Sequence, residues 1–264
     1  MQFTLTLPSN SSSTYYPDNT AASFTTKLPE DINLVGGQWE VSLKEIQYPI
    51  TWYNVHGSTG YVLIDFSSVT SPLVLQALTR VIAERMNMQI YFRAGYYSSG
   101  QQLAEEINFM LKASLPTAIS DAVSLTYSIP AGKFSIIIGH GISVRFSRPL
   151  CQMMGLPPEM SISQLGHRVA DLKRGIYSLY VYCDLCEEVI VGDMKVQLLR
   201  IVPINGEQGD YICHNYDFPT YTPLQTKNFG EIKILITDDA GKLIPFKSGK
   251  SIVTLHFRRK GFVL

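Results

Sequence analysis

The sequence predicts a mainly β protein: a jelly-roll β-sandwich of about eight antiparallel strands with an α+β domain inserted between them. Three observations lead there. First, apolar and polar residues alternate with period two in short runs that stop at Pro, Gly or Asn-Gly. The fullest example is Tyr177 to Pro203, where Tyr177, Leu179, Val181 and Cys183 alternate with Ser178, Tyr180 and Tyr182. Gly192-Asp193 separates these from a second run, Val196 to Ile201, which is apolar on both sides as a strand inside a sandwich would be. Second, helical spacing is confined to the middle of the chain. Third, 15 Tyr and 12 Phe in 264 residues suit strands and interface cores.

Taken in order, Phe3 to Leu7 alternates and stops at Pro8, and Ser9 to Thr20 is a polar loop. Ser23 to Leu28 is a second strand, closed by Pro29. After Gly36-Gly37, Trp39 to Tyr48 sets Trp39, Val41 and Leu43 against Glu40, Ser42 and Lys44, a half-buried strand with its polar face in solvent. A loop from Trp52 to Gly60 leads to a strand, Tyr61 to Phe66. From Pro72 to Met88, Leu75, Leu78, Val81, Ile82 and Met86 lie near helical spacing, with Pro72 at a helix start. Gln89 to Tyr97 reads as strand. Ser99-Gly100-Gln101-Gln102 has the form of a capping box, opening a helix whose apolar face is Leu103, Ile107, Met110 and Leu111, with Glu105, Glu106 and Lys112 facing away.

Three strands follow, Val123 to Ile129, Lys133 to Ile138 and Ile142 to Phe146, then a short helix with Ser147 as cap, Pro149 in its first turn and Gly155 past its end. Tyr211 to Tyr221 is a polar aromatic loop. Glu231 to Ile236 and Ser251 to Phe257 are the last strands, with a turn at Asp238 to Gly241. The composition therefore divides the chain into a discontinuous jelly-roll domain, 1–59 plus 166–264, and an α+β domain, 60–165. Eight strands in two sheets is the jelly-roll count.

Charge narrows the function. The 22 basic and 22 acidic residues cancel, which argues against a general nucleic-acid binder. No apolar run is long enough to span a membrane, and the first residues lack the pattern of a secretory signal, so synthesis inside the host cell is expected. Cys183-Asp184-Leu185-Cys186 could hold half a zinc site, but Cys213-His214 does not complete it in finger spacing. Ser248-Gly249-Lys250-Ser251 resembles the tail of a P-loop, yet Ile244 stands where the first glycine belongs and a strand follows. There is no G-x-S-x-G, and the five histidines are scattered. The expectation is no enzyme, with no catalytic, cofactor-binding or metal-binding residue. The candidate functional residues are interface aromatics in two loops, Trp52 and Tyr53, then Tyr211, Tyr216, Phe218 and Tyr221. Arg258 and Arg259 join them, as edge-protecting charges or as contacts to an acidic neighbour.

The segments LPSNSSSTYYPDNT, GGQWEVSLKEIQYP, GYYSSGQQLAEEIN, FSRPLCQMMGL, YVYCDL…VGD…QLLRIVP and VTLHFRRKGF stand in this order along the chain. Together they resemble the minor capsid protein of Polintons (Mavericks) and adintoviruses, with Tyr61 to Ala94 unmatched. That resemblance implies a jelly-roll penton protein, a homopentamer at the fivefold vertices of an icosahedral virion beside a double-jelly-roll major capsid protein, and no catalytic residues. A host receptor is a further partner such a vertex protein would meet. The alternative from a different class is a receptor- or glycan-binding jelly roll acting as a monomer, with a concave groove on the α+β block.

Overall fold

The computed structural model describes residues 1–81 and 87–260. It divides into two compact units, one made of Met1–Trp52 and Gly175–Leu264 and the other of Tyr53–Arg174.

The first unit is built on eight strands: β1 (Gln2–Pro8), β2 (Ser23–Asn33), β3 (Trp39–Pro49), β4 (Ser178–Cys183), β5 (Leu198–Pro203), β6 (Tyr211–Asn215), β7 (Asn228–Thr237) and β8 (Ile252–Arg259). They form two four-stranded sheets, ordered β1-β8-β3-β6 and β5-β4-β7-β2, with the two-residue strand Thr222–Pro223 also on β3. Every pairing is antiparallel. First pairs with last, second with seventh, third with sixth and fourth with fifth. A long antiparallel ribbon rolled once onto itself gives this order, which is the jelly roll. The inward residues of both sheets make one core: Phe24, Val41, Leu43, Ile46, Leu179, Val181, Ile234, Ile236, Val253, Leu255 and Phe257 are all buried.

Several local expectations are corrected here. β2 continues through Pro29 to Asn33, because it is an edge strand and Pro29 falls in an irregularity opposite Gly230, where no ladder N–H is required. The preceding loop covers that edge: the Asn19 amide bonds both Thr25 N (2.9 Å) and Thr25 O (2.9 Å), and Ser12 Oγ accepts from Lys27 N (3.0 Å). The second run of the Tyr177 to Pro203 stretch is an edge strand too, so Ile201 is exposed, and the register shift beside Tyr182 explains why apolar residues fall on both sides. A separate hairpin, Val189–Val191 with Met194–Val196, turns at Gly192. β3 is buried on both faces from Trp39 to Leu43, Glu40 and Ser42 included; Thr222–Pro223 pairs beside it in the sheet, and Arg258 of β8, opposite Glu40, bonds to its carboxylate. β6 lies in the segment expected to be loop.

The second unit has two three-stranded antiparallel sheets. One runs Asn87–Tyr91, Tyr61–Asp65, Ser143–Phe146 and the other Val123–Ser128, Lys133–Ile138, Gln164–Leu165. Its helices are α1 (Pro72–Val81), α2 (Gly100–Ser114), α3 (Thr117–Ser120) and α4 (Arg148–Met154). Ile82 and Met86 lie outside the described residues. The strand expected up to Tyr97 stops at Tyr91, and Val55 pairs with Gly95 beyond it. Ser99 caps α2 by accepting from Gln102 N (3.1 Å), while Gln102 Oε1 accepts from Ser98 N (2.9 Å), one residue earlier than a standard capping box. Leu103, Ala104, Ile107 and Leu111 are its buried face, and Glu106 pairs with Arg93 at 3.4 Å instead of facing water alone. Ser147 occupies the cap position of α4, but its hydroxyl donates to the Thr59 carbonyl and caps nothing.

The two ends of this unit are held together by one buried side chain. Asn54 Nδ2 donates to Tyr97 O (2.9 Å) and Leu172 O (3.0 Å), Asn54 Oδ1 accepts from Tyr97 N (2.9 Å), and Arg174 Nη1 donates to Asn54 O (3.0 Å). Replacing Asn54 with Ala leaves a buried N–H and two carbonyls unpaired, a loss of about 1–3 kcal/mol. Hydrogen exchange at the Tyr97 amide should accelerate in Asn54→Ala, and an unchanged rate there would show that the clasp contributes nothing.

Candidate interface residues

Alternation along β8 buries Val253, Leu255 and Phe257 and turns Thr254, His256 and Arg258 to the other face of the sheet. On that face Tyr221 is fixed from two sides. Its hydroxyl lies 2.8 Å from His256 Nδ1, and the Arg258 guanidinium stacks on its ring, 3.4 Å from the centroid. Arg258 Nε in turn meets Glu40 Oε2 at 3.0 Å, with Lys260 Nζ 4.0 Å from Glu40 Oε1. A partly buried carboxylate, a bound guanidinium, an aromatic face and an imidazole thus form a preset patch. Burial lowers the His256 pKa, helped by the charges of Lys44 and Arg258, which favours the neutral imidazole beside the Tyr221 hydroxyl.

A second cluster joins the edges of the two sheets. Arg200, on β5, stacks on Tyr216 at 3.6 Å from the ring centroid, and Tyr216 stacks beside His214 of β6 at 6.4 Å. His214 Nε2 lies 3.4 Å from the hydroxyl of the buried Tyr48. Burial raises the Tyr216 pKa, with Arg200 opposing it, so the phenol stays protonated.

The remaining expected residues divide. Phe218 is 93% exposed and Tyr211 50% exposed, so both present apolar rings to solvent. Arg259 lies over the Gly36-Gly37 turn, so close that a Cβ on Gly37 would sit 2.6 Å from Arg259 Nε. Trp52 is 5% exposed and packs edge-on against Phe246, a core position rather than a surface one. Tyr53, the next residue, is half-buried and opens the other unit. Glu40, Arg200, His214 and His256 join these clusters through partners distant in sequence, which the order of residues alone does not reveal. The chain's own alternation did mark His256 as outward.

The cysteines are free thiols, with Cys151, Cys183 and Cys186 buried and Cys213 exposed. Hydrogen bonding to Cys186, then burial, pushes the Cys183 thiol up, so Cys183 is not a thiolate. Among the described residues no group of three or more His, Cys, Asp or Glu side chains is placed to hold a metal, and no helix is long and apolar enough to cross a membrane.

No protein-family model and no curated protein matches the sequence. Among solved structures the chain is similar to the mavirus penton protein, over 98% of this chain and 99% of that one, with a TM-score of 0.52 and 11% identity. The chain therefore shares its jelly-roll fold with that protein. A chain of the Sputnik virophage structure aligns over 98% of each, with a TM-score of 0.45 and 12% identity.

His256 gives this patch a pH dependence. Its folded pKa lies below the ordinary 6.5, so the unfolded chain takes up the proton first as pH falls. The stability it contributes is present above pH about 6.5 and is lost as pH drops below that value. Denaturant unfolding of His256→Gln should therefore lose less stability between neutral and mildly acidic pH than the parent. Equal losses in both proteins would remove His256 from the account.

Proposed function

We propose that this chain is a structural minor capsid protein, the penton that closes the fivefold vertices of an icosahedral virion as a homopentamer and contacts a double-jelly-roll major capsid protein. The observation that supports it most is the end-to-end likeness in fold to the mavirus penton protein, which extends over both units. The sequence segments that resemble Polinton and adintovirus minor capsid proteins point the same way. In this reading the chain is not an enzyme, and residues 53–174 are a domain inserted between β3 and β4 that stands apart from the shell lattice.

The physical features suit that task. A ring of five uses a heterologous contact that closes, so two different faces of one subunit must match. Tyr211 and Phe218 supply exposed aromatic anchors of the kind that dominate interfaces. Arg258 and Tyr221 are already held rigid by Glu40 and His256, so ordering them on contact costs little. The covered edge of β2 removes one open strand that would otherwise pair with any neighbour.

Light scattering after size exclusion should find, above a threshold concentration or once a double-jelly-roll capsid protein is added, a species of five times the 29.6 kDa chain mass. The double variant Phe218→Asp, Tyr211→Asp should keep the parent's circular dichroism and raise that threshold about tenfold, equivalent to roughly 1.4 kcal/mol. A monomer under both conditions overturns the proposal.

A further inference from the structure

The second unit contains a cavity of about 530 Å³ that the capsid reading does not use. It opens on the outer face of the Tyr61–Asp65 and Ser143–Phe146 strands, where Tyr61, Leu63 and Arg145 project away from the core that Val62, Ile64 and Val144 enter. The walls come from α4 and the chain beyond it, including Arg148, Gln152, Leu156, Pro158 and Arg168. Three arginines, Arg145, Arg148 and Arg168, therefore line one cavity whose lining residues include no Asp or Glu. Glu159 pairs with Arg145 at 2.8 Å, but both are more than half exposed, so the pair is weak and open to exchange. Among the described residues Arg148 and Arg168 have no acidic partner.

The arrangement is built rather than accidental at Arg168. Gly155 ends α4 with φ 69°, and a Cβ there would lie 2.3 Å from Arg168 O, so only glycine lets this segment close against the helix. Arg168 N donates to Gly155 O (3.3 Å), and Gly166 N donates to Phe134 O (2.7 Å), which together fix the rim. The charge of the whole unit agrees: residues 53–174 carry ten basic and seven acidic side chains.

We infer that this cavity binds an acidic saccharide, a sugar ring carrying a carboxylate or sulfate. The guanidiniums supply forked donors matched to such an anion. Tyr61, Leu63, Leu156 and Pro158 offer the apolar surface against which the C–H face of a ring packs, and Gln152 offers an amide to hydroxyls. The volume falls in the range of small-molecule sites, about 300–1,000 Å³. A bare inorganic anion would leave the apolar wall unused. The inference stands whether or not the chain assembles into a ring.

Calorimetric titration of the full chain with sialyllactose, with a sulfated disaccharide, with neutral lactose and with inorganic sulfate tests it. Binding of one acidic sugar at least tenfold tighter than both lactose and inorganic sulfate is expected, and the better of the two separates carboxylate from sulfate. Arg148→Gln and Arg168→Gln are exposed changes that should each weaken that binding tenfold or more, while Lys112→Gln on α2 leaves it unchanged. Equal binding of lactose or inorganic sulfate, undiminished binding by the double Arg148→Gln, Arg168→Gln variant, or no sugar binding at millimolar concentration would each overturn the assignment.

Discussion

The pairing of β8 between β1 and β3 is the constraint on which the roll depends. It joins the first strand to the last, as in Thr6 opposite Thr254, and it brings Val253, Leu255 and Phe257 into the core. Phe257 then stacks on Phe3 at 4.8 Å and on Phe229 at 5.8 Å, so one residue links both sheets of the sandwich. Such a contact closes almost the whole chain, and its entropy is recovered only when the inner faces meet. The same strand carries His256 and Arg258 on its opposite face, so the core register also sets the geometry of the outer aromatic patch. A one-residue slip would lose both at once.

Much of the roll was legible because its inner strands alternate. β4, β7 and β8 show their inward residues directly as Leu179, Val181 and Cys183, then Ile232, Ile234 and Ile236, then Val253, Leu255 and Phe257. The edges were not legible for the same reason. β6 reads Tyr-Ile-Cys-His-Asn, in which only Ile212 and His214 turn inward and both are partly exposed, so its pattern is faint. Pro29 looked like a stop, but an edge strand tolerates it. Glu40 is outward by parity, and parity cannot foresee the Arg258 and Lys260 side chains that gather over it from β8 and the residue after it.

The candidate interface was harder still. An aromatic residue in a loop can point either way, and the sequence does not distinguish Phe218, in water, from Trp52, packed on Phe246. The Tyr221 patch needs Glu40, His256 and Arg258 from three separate places. Overall charge misled in a subtler way. A net charge of zero over the chain conceals a basic excess in residues 53–174 and an acidic one in the remainder.

The Asn54 clasp has a consequence for how such chains diversify. Because Asn54 bonds to both Tyr97 and Leu172, and Arg174 returns to Asn54, the unit's entry and exit strands are already side by side before the roll resumes at Ser178. The roll therefore experiences the whole segment as a short closed loop, with a closure entropy set by the few residues outside the clasp. A segment of this kind behaves as a cassette. It can be exchanged for another of different size or surface without renegotiating the strand pairings of the sandwich, so selection is free to remodel it while the scaffold stays fixed.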